Sequence, residues 1–231
     1  MKLNRLIGKH RALGRAEAQI AIAQRRVWVE GRCITDGHLE VDRFATVRLD
    51  DEVVQEGETE LYLMLHKPVG YLSATVDAVH PTVIDLINHP HKESLHLAGR
   101  LDRATSGLVL LSNDGRWSEC ITSGGGVTKE YLVETEQPLK DSDVSAFAEG
   151  FYFHTEDITT RPAELIILDS HHARVRLVEG RYHQIKRMFH RVGNRVVSLH
   201  RERIGGISLS DDLPPGAWRT LTEIEIRSFD S

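Results

Sequence analysis

The stretch "AGRLDRATSGLVLLSNDG", residues 98–115, sets a carboxylate, Asp102, between Arg100 and Arg103 just ahead of the apolar run Leu108-Val109-Leu110-Leu111. A carboxylate that enters a core must find a partner or shift its pKa, because removing an unpaired charge from water is costly. Asp102 therefore either closes a turn onto its own backbone, with Thr105, Ser106 and Gly107 leading into a buried strand, or takes part in chemistry. Both readings fit this window on its own.

The chain has 231 residues, enough for one sizeable core and a small accessory domain, and its 40% hydrophobic and 27% charged content is that of a soluble globular protein. The N-terminus is polar and basic, and no apolar run approaches the roughly 18 residues that span a bilayer, so a cytoplasmic protein without membrane contact is expected. Cys33 and Cys120 stand alone, which gives neither a disulfide framework nor metal-ligand spacing. His80, His89, His91 and His96 cluster, but without an HExxH pair and with Pro81 and Pro90 between them. No metal is expected.

The net charge of -5 hides its distribution. Residues 1–32 hold eight basic side chains (Lys2, Arg5, Lys9, Arg11, Arg15, Arg25, Arg26, Arg32) against Glu17 and Glu30, a local +6. Residues 174–203 hold nine (Arg174, Arg176, Arg181, Lys186, Arg187, Arg191, Arg195, Arg201, Arg203) against Glu179 and Glu202, a local +7. The rest of the chain is acidic. Two basic islands on an acidic body suit either a phosphate-binding protein with restricted contact surfaces or ordinary solvated helix faces.

The first island reads as two short helices and a hairpin. Leu3, Leu6 and Ile7 mark the inner side of the first helix, and Ala16, Ile20, Ala23 and Val27 are expected on one face of the second. "VWVEGRCIT" follows as strand, Glu-Gly turn and strand. The acidic stretch "DDEVVQEGETE", residues 50–60, marks a boundary near 58, giving domains 1–58 and 59–231. Beyond it, strands are expected at 61–66, 107–112, 129–135, 163–168, 173–178 and 195–200, and helices near 82–88, 114–122, 141–149 and 182–192. This irregular order predicts an α+β fold around a mixed, mainly antiparallel sheet. "SGGGVTK", residues 123–129, lacks phosphate-loop spacing and is expected to be a loop. In the helix near 182–192, Tyr182, Ile185, Phe189 and Val192 form the expected buried stripe, with Lys186, Arg187, His190 and Arg191 elsewhere.

Taken together, "GRLDRATSGLVLLSNDG", "KEYLVE" and "EGRYHQIKRMF" resemble the three signature segments of bacterial ribosomal RNA pseudouridine synthases, and "LHKPVGYLSAT" resembles the strand that opens their catalytic domain. The N-terminal "KLNRLIGKH" and "RAEAQIAIAQRRVWVEGRCI" are similar to an S4-type RNA-binding domain. "HRERIGGISL" and "LPPGAWRTLTEIEI" look most like the small-subunit, RsuA type, although "RLDRATSG" is closer to large-subunit wording. The resemblance implies a cofactor-free isomerisation of uridine to pseudouridine in ribosomal RNA, 16S rRNA at uridine 516, by a monomer acting on a partly assembled small subunit. It implies Asp102 as the catalytic carboxylate, Tyr131 as the platform for the flipped base and Arg181 as the ion-pair partner of Asp102. Arg100 and Arg103 would hold the flipped nucleotide and its phosphates, with Lys2, Arg5, Lys9, Arg15, Arg25, Arg26, Lys186 and Arg187 as further RNA contacts. The competing readings are a non-catalytic S4-type assembly protein, a synthase acting on 23S rRNA, and a glycoside hydrolase. The hydrolase would need a second carboxylate beside Asp102, and the signature segments offer arginine instead.

Overall fold

The run Leu108-Val109-Leu110-Leu111 lacks polar alternation because both of its sides are covered. In the computed structural model, which describes residues 1–123 and 126–229, the chain divides into two units, Met1–Glu60 and Leu61–Ser231, and the run lies in an interior strand of the second. Leu108 and Leu110 pack with Met64, Trp117, Ile121 and Ile204, whereas Val109 and Leu111 pack with Leu63, Leu65, Val133, Phe147, Met188 and Phe189. A strand buried on both faces reads as an unbroken apolar run.

The first unit contains α1 (Leu3–Lys9), α2 (Gly14–Ala23), β1 (Val27–Val29), β2 (Arg32–Cys33), β3 (Val47–Leu49) and β4 (Glu52–Gln55), with its strands in the order β2-β1-β3-β4. Glu30 (φ 48°) and Gly31 (φ 70°) make the expected hairpin turn. Helix α2 is rotated from the expected face: Ala18, Ala21 and Ile22 are buried against Leu3, Ile7 and Val27, while Ala16, Ile20 and Ala23 are exposed. Ile20 and Ile22 lie about 200° apart on the helix, so only one can enter the core. The alanines on either side leave the two faces almost equally apolar.

The second unit contains β5 (Tyr62–Lys67), β6 (His96–Leu97), β7 (Ser106–Ser112), α3 (Gly115–Thr122), β8 (Lys129–Thr135), α4 (Asp141–Glu149), β9 (Tyr152–Phe153), β10 (Ile158–Thr159), β11 (Glu164–Ile167), β12 (His172–Leu177), α5 (Gln184–Arg191), β13 (Val196–Ile204), β14 (Ile207–Ser208), β15 (Trp218–Thr220) and α6 (Glu223–Arg227). Its large sheet runs β11-β12-β8-β13-β7-β5-β15, with β14 added to β13 and β6 to β7. The β13–β7 pair is parallel, and the other strand pairs of this sheet are antiparallel among the described residues. Phe147 of α4 and Met188 and Phe189 of α5 cover one face, and Trp117 and Ile121 of α3 cover the other with Phe229.

Two local expectations change. The 82–88 segment is a short 3₁₀ turn, Val83–Leu86, closed by Thr82 and Asp85. Helix α5 starts at Gln184, after His183 in a left-handed conformation (φ 50°, ψ 30°), so its buried side is Gln184, Ile185, Met188 and Phe189. Tyr182 lies before that break and is 73% exposed, not part of the stripe. Of the 123–129 loop, residues 124 and 125 lie outside the described residues.

The C-terminal helix is held by a two-point ion pair. Arg219 Nη2 and Nη1 lie 2.6 and 2.8 Å from the two oxygens of Glu225, whose carboxylate also caps Thr222 N at 2.8 Å. The Arg219 bonds, helped by Thr222, pull the Glu225 carboxyl down to about 2 against the opposing effect of burial. Because the folded pKa lies below that of free glutamate, the contribution is complete above about pH 4.5 and is lost as pH falls toward 2. Glu225→Gln should lower stability at pH 7 by about 1–2 kcal/mol, discounted for partial solvent screening. Acid melts should show this gap closing below pH 3; a gap constant between pH 7 and 2.5 would remove the ion pair as its cause.

Candidate active site

Asp102 sits on the loop between β6 and β7, and three buried side chains hold that loop by its backbone. Lys67, at the end of β5, is fully buried and donates from Nζ to Thr105 O (2.7 Å), Pro68 O (3.1 Å) and Arg103 O (3.4 Å). Ser73 Oγ donates to Leu101 O (2.8 Å) and accepts from Leu101 N (3.0 Å). Arg201 of β13, 1% exposed, donates from Nε to Leu108 O (2.8 Å) and from Nη1 to Arg100 O (3.2 Å) and the Tyr131 hydroxyl (3.4 Å). The loop is thus fixed on both sides of Asp102 by donors that make no use of its carboxylate.

The carboxylate faces a pocket lined by Arg100, Leu101, Thr105, Tyr131, Leu177 and Leu199 together with Gly180, Arg181 and the segment His183 to Lys186. Tyr131, 7% exposed and in the middle of β8, supplies the aromatic wall. The side chains that meet Asp102 are Lys186, with Nζ 3.0 Å from Oδ2, and the His183 imidazole, with Nε2 3.4 Å from Oδ1. Arg181 lines the same pocket, but its Nε pairs with Glu179 Oε2 at 3.0 Å. The expected Arg181–Asp102 ion pair is therefore replaced by Lys186 and His183. The reason is local: Glu179 is two residues away and is fixed by Gln184 Nε2 (2.6 Å) and Arg161 N (3.0 Å), so it captures the guanidinium.

The other expected contacts separate into two sets. Arg100 and Arg103 are exposed on the loop beside Asp102, with Arg103 Nε donating to Gly70 O at 3.0 Å. Lys186, expected to touch RNA, instead pairs with Asp102. Arg187 is engaged within the fold, 2.8 Å from Glu156 and 3.6 Å above the Phe153 ring. In the first unit Lys2, Arg5, Lys9, Arg15, Arg25 and Arg26 are all exposed, but Arg26 is held by Asp50 at 2.6 Å. Among the described residues no group of three or more His, Cys, Asp or Glu side chains is disposed to hold a metal.

Sequence reasoning missed Lys67, His183 and Arg201. A signal was present for Arg201: in β13 it shares the parity of buried Leu199, so a charged residue falls at an inward position. Lys67 carried a weaker one, a cation at the end of "LYLML" just before Pro68. Burial pushes the Lys67 ammonium down to about 8, the Asp102 carboxylate opposing the drop and the charges of Arg201 and Lys186 adding to it. The Asp102 carboxylate thus shares its pocket with Lys186, His183 and Arg181, with Lys67 near enough to feel its charge, an arrangement suited to an anionic ligand.

The family model described as RNA pseudouridylate synthase matches residues 61–191. The chain belongs to that family, and it is an RNA pseudouridine synthase. Its full-length likeness is to the RsuA type: it is 48% identical to the ribosomal small subunit pseudouridine synthase A of Pseudomonas aeruginosa, covering 99% of this chain and 100% of that one. It is 43% identical to the protein of the same name from Escherichia coli, with 99% of each covered. A crystal structure of a pseudouridylate synthase superimposes with a TM-score of 0.73 at 38% identity over 99% of both chains. Among the described residues, no helix is long and apolar enough to cross a membrane.

Proposed function

We infer that the chain converts one uridine of 16S ribosomal RNA, uridine 516, to pseudouridine, with Asp102 as the catalytic carboxylate and no cofactor. The observation that carries this reading is Asp102 in a pocket walled by Tyr131 and lined by Arg100, Arg181 and Lys186, in a chain matching the small-subunit synthases end to end. The reaction breaks the N1–C1′ bond, turns the uracil, forms the C5–C1′ bond and moves the C5 proton to N1, so composition is unchanged and no redox partner is needed. Lys186 and His183 hold the Asp102 carboxylate at the pocket by contacts of 3.0 and 3.4 Å and yield to the incoming nucleotide. Tyr131 offers its ring to the detached base, its hydroxyl fixed by Arg201, and Arg100 and Arg103 meet the flanking phosphates. The first unit acts as an S4-type RNA-binding domain through Lys2, Arg5, Lys9, Arg15 and Arg25, and the protein works as a cytoplasmic monomer on partly assembled small subunits.

The test is to map pseudouridines across ribosomal RNA by carbodiimide primer extension in cells with and without the gene. Loss of a single 16S stop, restored by the wild-type gene and not by Asp102→Asn, is the expected result. Loss of a 23S stop would instead bear out the large-subunit wording of "RLDRATSG", and an unchanged map would remove the enzymatic reading.

Lys67 adds a pH dependence. The single-turnover rate should fall as pH rises through about 8, where Lys67 gives up its charge beside Asp102. The contribution of this group to stability should move the other way, rising from about pH 8 to about 10, because the unfolded lysine keeps its proton to about 10.4. A rate flat between pH 7 and 9.5 would rule out an electrostatic part for Lys67.

A further inference from the structure

We propose that the stacked pair Tyr182–His183 is a nucleobase-binding subsite for the RNA residue adjoining the target uridine. The proposal deepens the reading of the Asp102 pocket as an RNA-modifying site and rests on it. Both residues precede helix α5, and their two rings stack with centroids 3.9 Å apart and planes 18° apart. The left-handed backbone at His183 makes this possible, a conformation that residues other than glycine adopt only occasionally. The inner ring touches the chemistry, with His183 Nε2 3.4 Å from Asp102 Oδ1. The outer ring faces water, since Tyr182 is 73% exposed.

The backbone under the platform is tied to the fold. Arg187 Nη1 donates to Tyr182 O at 3.3 Å and is itself fixed by Glu156 and Phe153. Helix α5 fills the core with Ile185, Met188 and Phe189, so Tyr182 contributes nothing there. Its surroundings are basic, with Arg181, Lys186 and Arg100 lining the adjacent pocket, which suits a phosphate-bearing polymer over an apolar protein surface or a lipid. Extracting a uridine from its stack leaves the neighbouring base without one contact face, and an exposed aromatic ring one ring-thickness from the pocket replaces it. Stacking of this kind accepts any base, so the subsite adds affinity without reading sequence.

The experiment uses the full chain and partly assembled small subunits from cells lacking the gene. Tyr182→Ala should raise KM by about tenfold, within the roughly five- to hundredfold range of base–aromatic stacking, while kcat changes less than about threefold. Tyr182→Phe should restore KM to within about twofold, and Tyr182→Leu, apolar but without a π face, should not. Wild-type KM for Tyr182→Ala, or equal KM for the Leu and Phe variants, overturns the subsite. Affinity for the same particles is measured in parallel with Asp102→Asn and Asp102→Asn/Tyr182→Ala. If the wild-type chain makes no pseudouridine there, the functional reading fails, and a tenfold difference between these two affinities, or its absence, still decides the subsite.

Discussion

Asp102→Asn is expected to lower pseudouridine formation by at least about a thousandfold, the scale of losing a positioned nucleophile or base, while RNA affinity stays within about threefold. The split follows from how the loop is built. Lys67, Ser73 and Arg201 hold the carbonyls of Arg103, Thr105, Leu101 and Arg100 and make no use of the Asp102 side chain. Asparagine keeps the size and one oxygen acceptor for Lys186 or His183, so the loop and its neighbouring arginines remain where they are. Tritium release from C5-labelled RNA measures the turnover, and a variant within tenfold of wild type would remove Asp102 from the chemistry. A large loss of affinity as well would mean that the carboxylate organises the RNA-binding surface.

Gly107→Ala should be among the most damaging single changes to stability, by about 3 kcal/mol or more. Gly107 opposes Arg201 in the parallel β7–β13 pair at φ 112°, and a Cβ there would stand 2.3 Å from Arg201 O and 2.5 Å from Arg201 N. Both obstacles are backbone, so no side chain can move aside. At this chain length the loss corresponds to a fall in Tm of roughly 6–12 °C. Gly115→Ala is the control, because its Cβ meets nothing within 4 Å at the start of α3, and it should melt near the wild type. A Gly107→Ala protein as stable as this control would mean that β7 and β13 lie farther apart than described.

Asp102 stood out as an acid between arginines before a core strand and Tyr131 came from the resemblance, and the structure brings the two into one pocket. The Arg181–Asp102 pair was misread, because a resemblance supplies residue types and says nothing of the rotamer that Glu179 selects. Tyr182 was misplaced for a related reason. Helical periodicity extends the α5 stripe back to 182, and only the left-handed turn at His183 stops it. Six strands of the large sheet were visible from β-rich runs, whereas the short strands β6, β14 and β15 were not, and the face of α2 was hidden by its alanines. Lys67 and Arg201 were passed over because a charge at the end of a strand ordinarily marks a solvated edge.

Strand β13 is the last of the central strands to be made, yet it sits between β8 and β7. A ribosome extruding this chain first releases two half-sheets, β11-β12-β8 and β7-β5, each with an open edge, and only residues 196–204 join them. Arg201 arrives with that closure, and its guanidinium must leave water as the edges meet. A chain cut before Val196 would lack Arg201 and would expose two strand edges prone to pairing with other molecules.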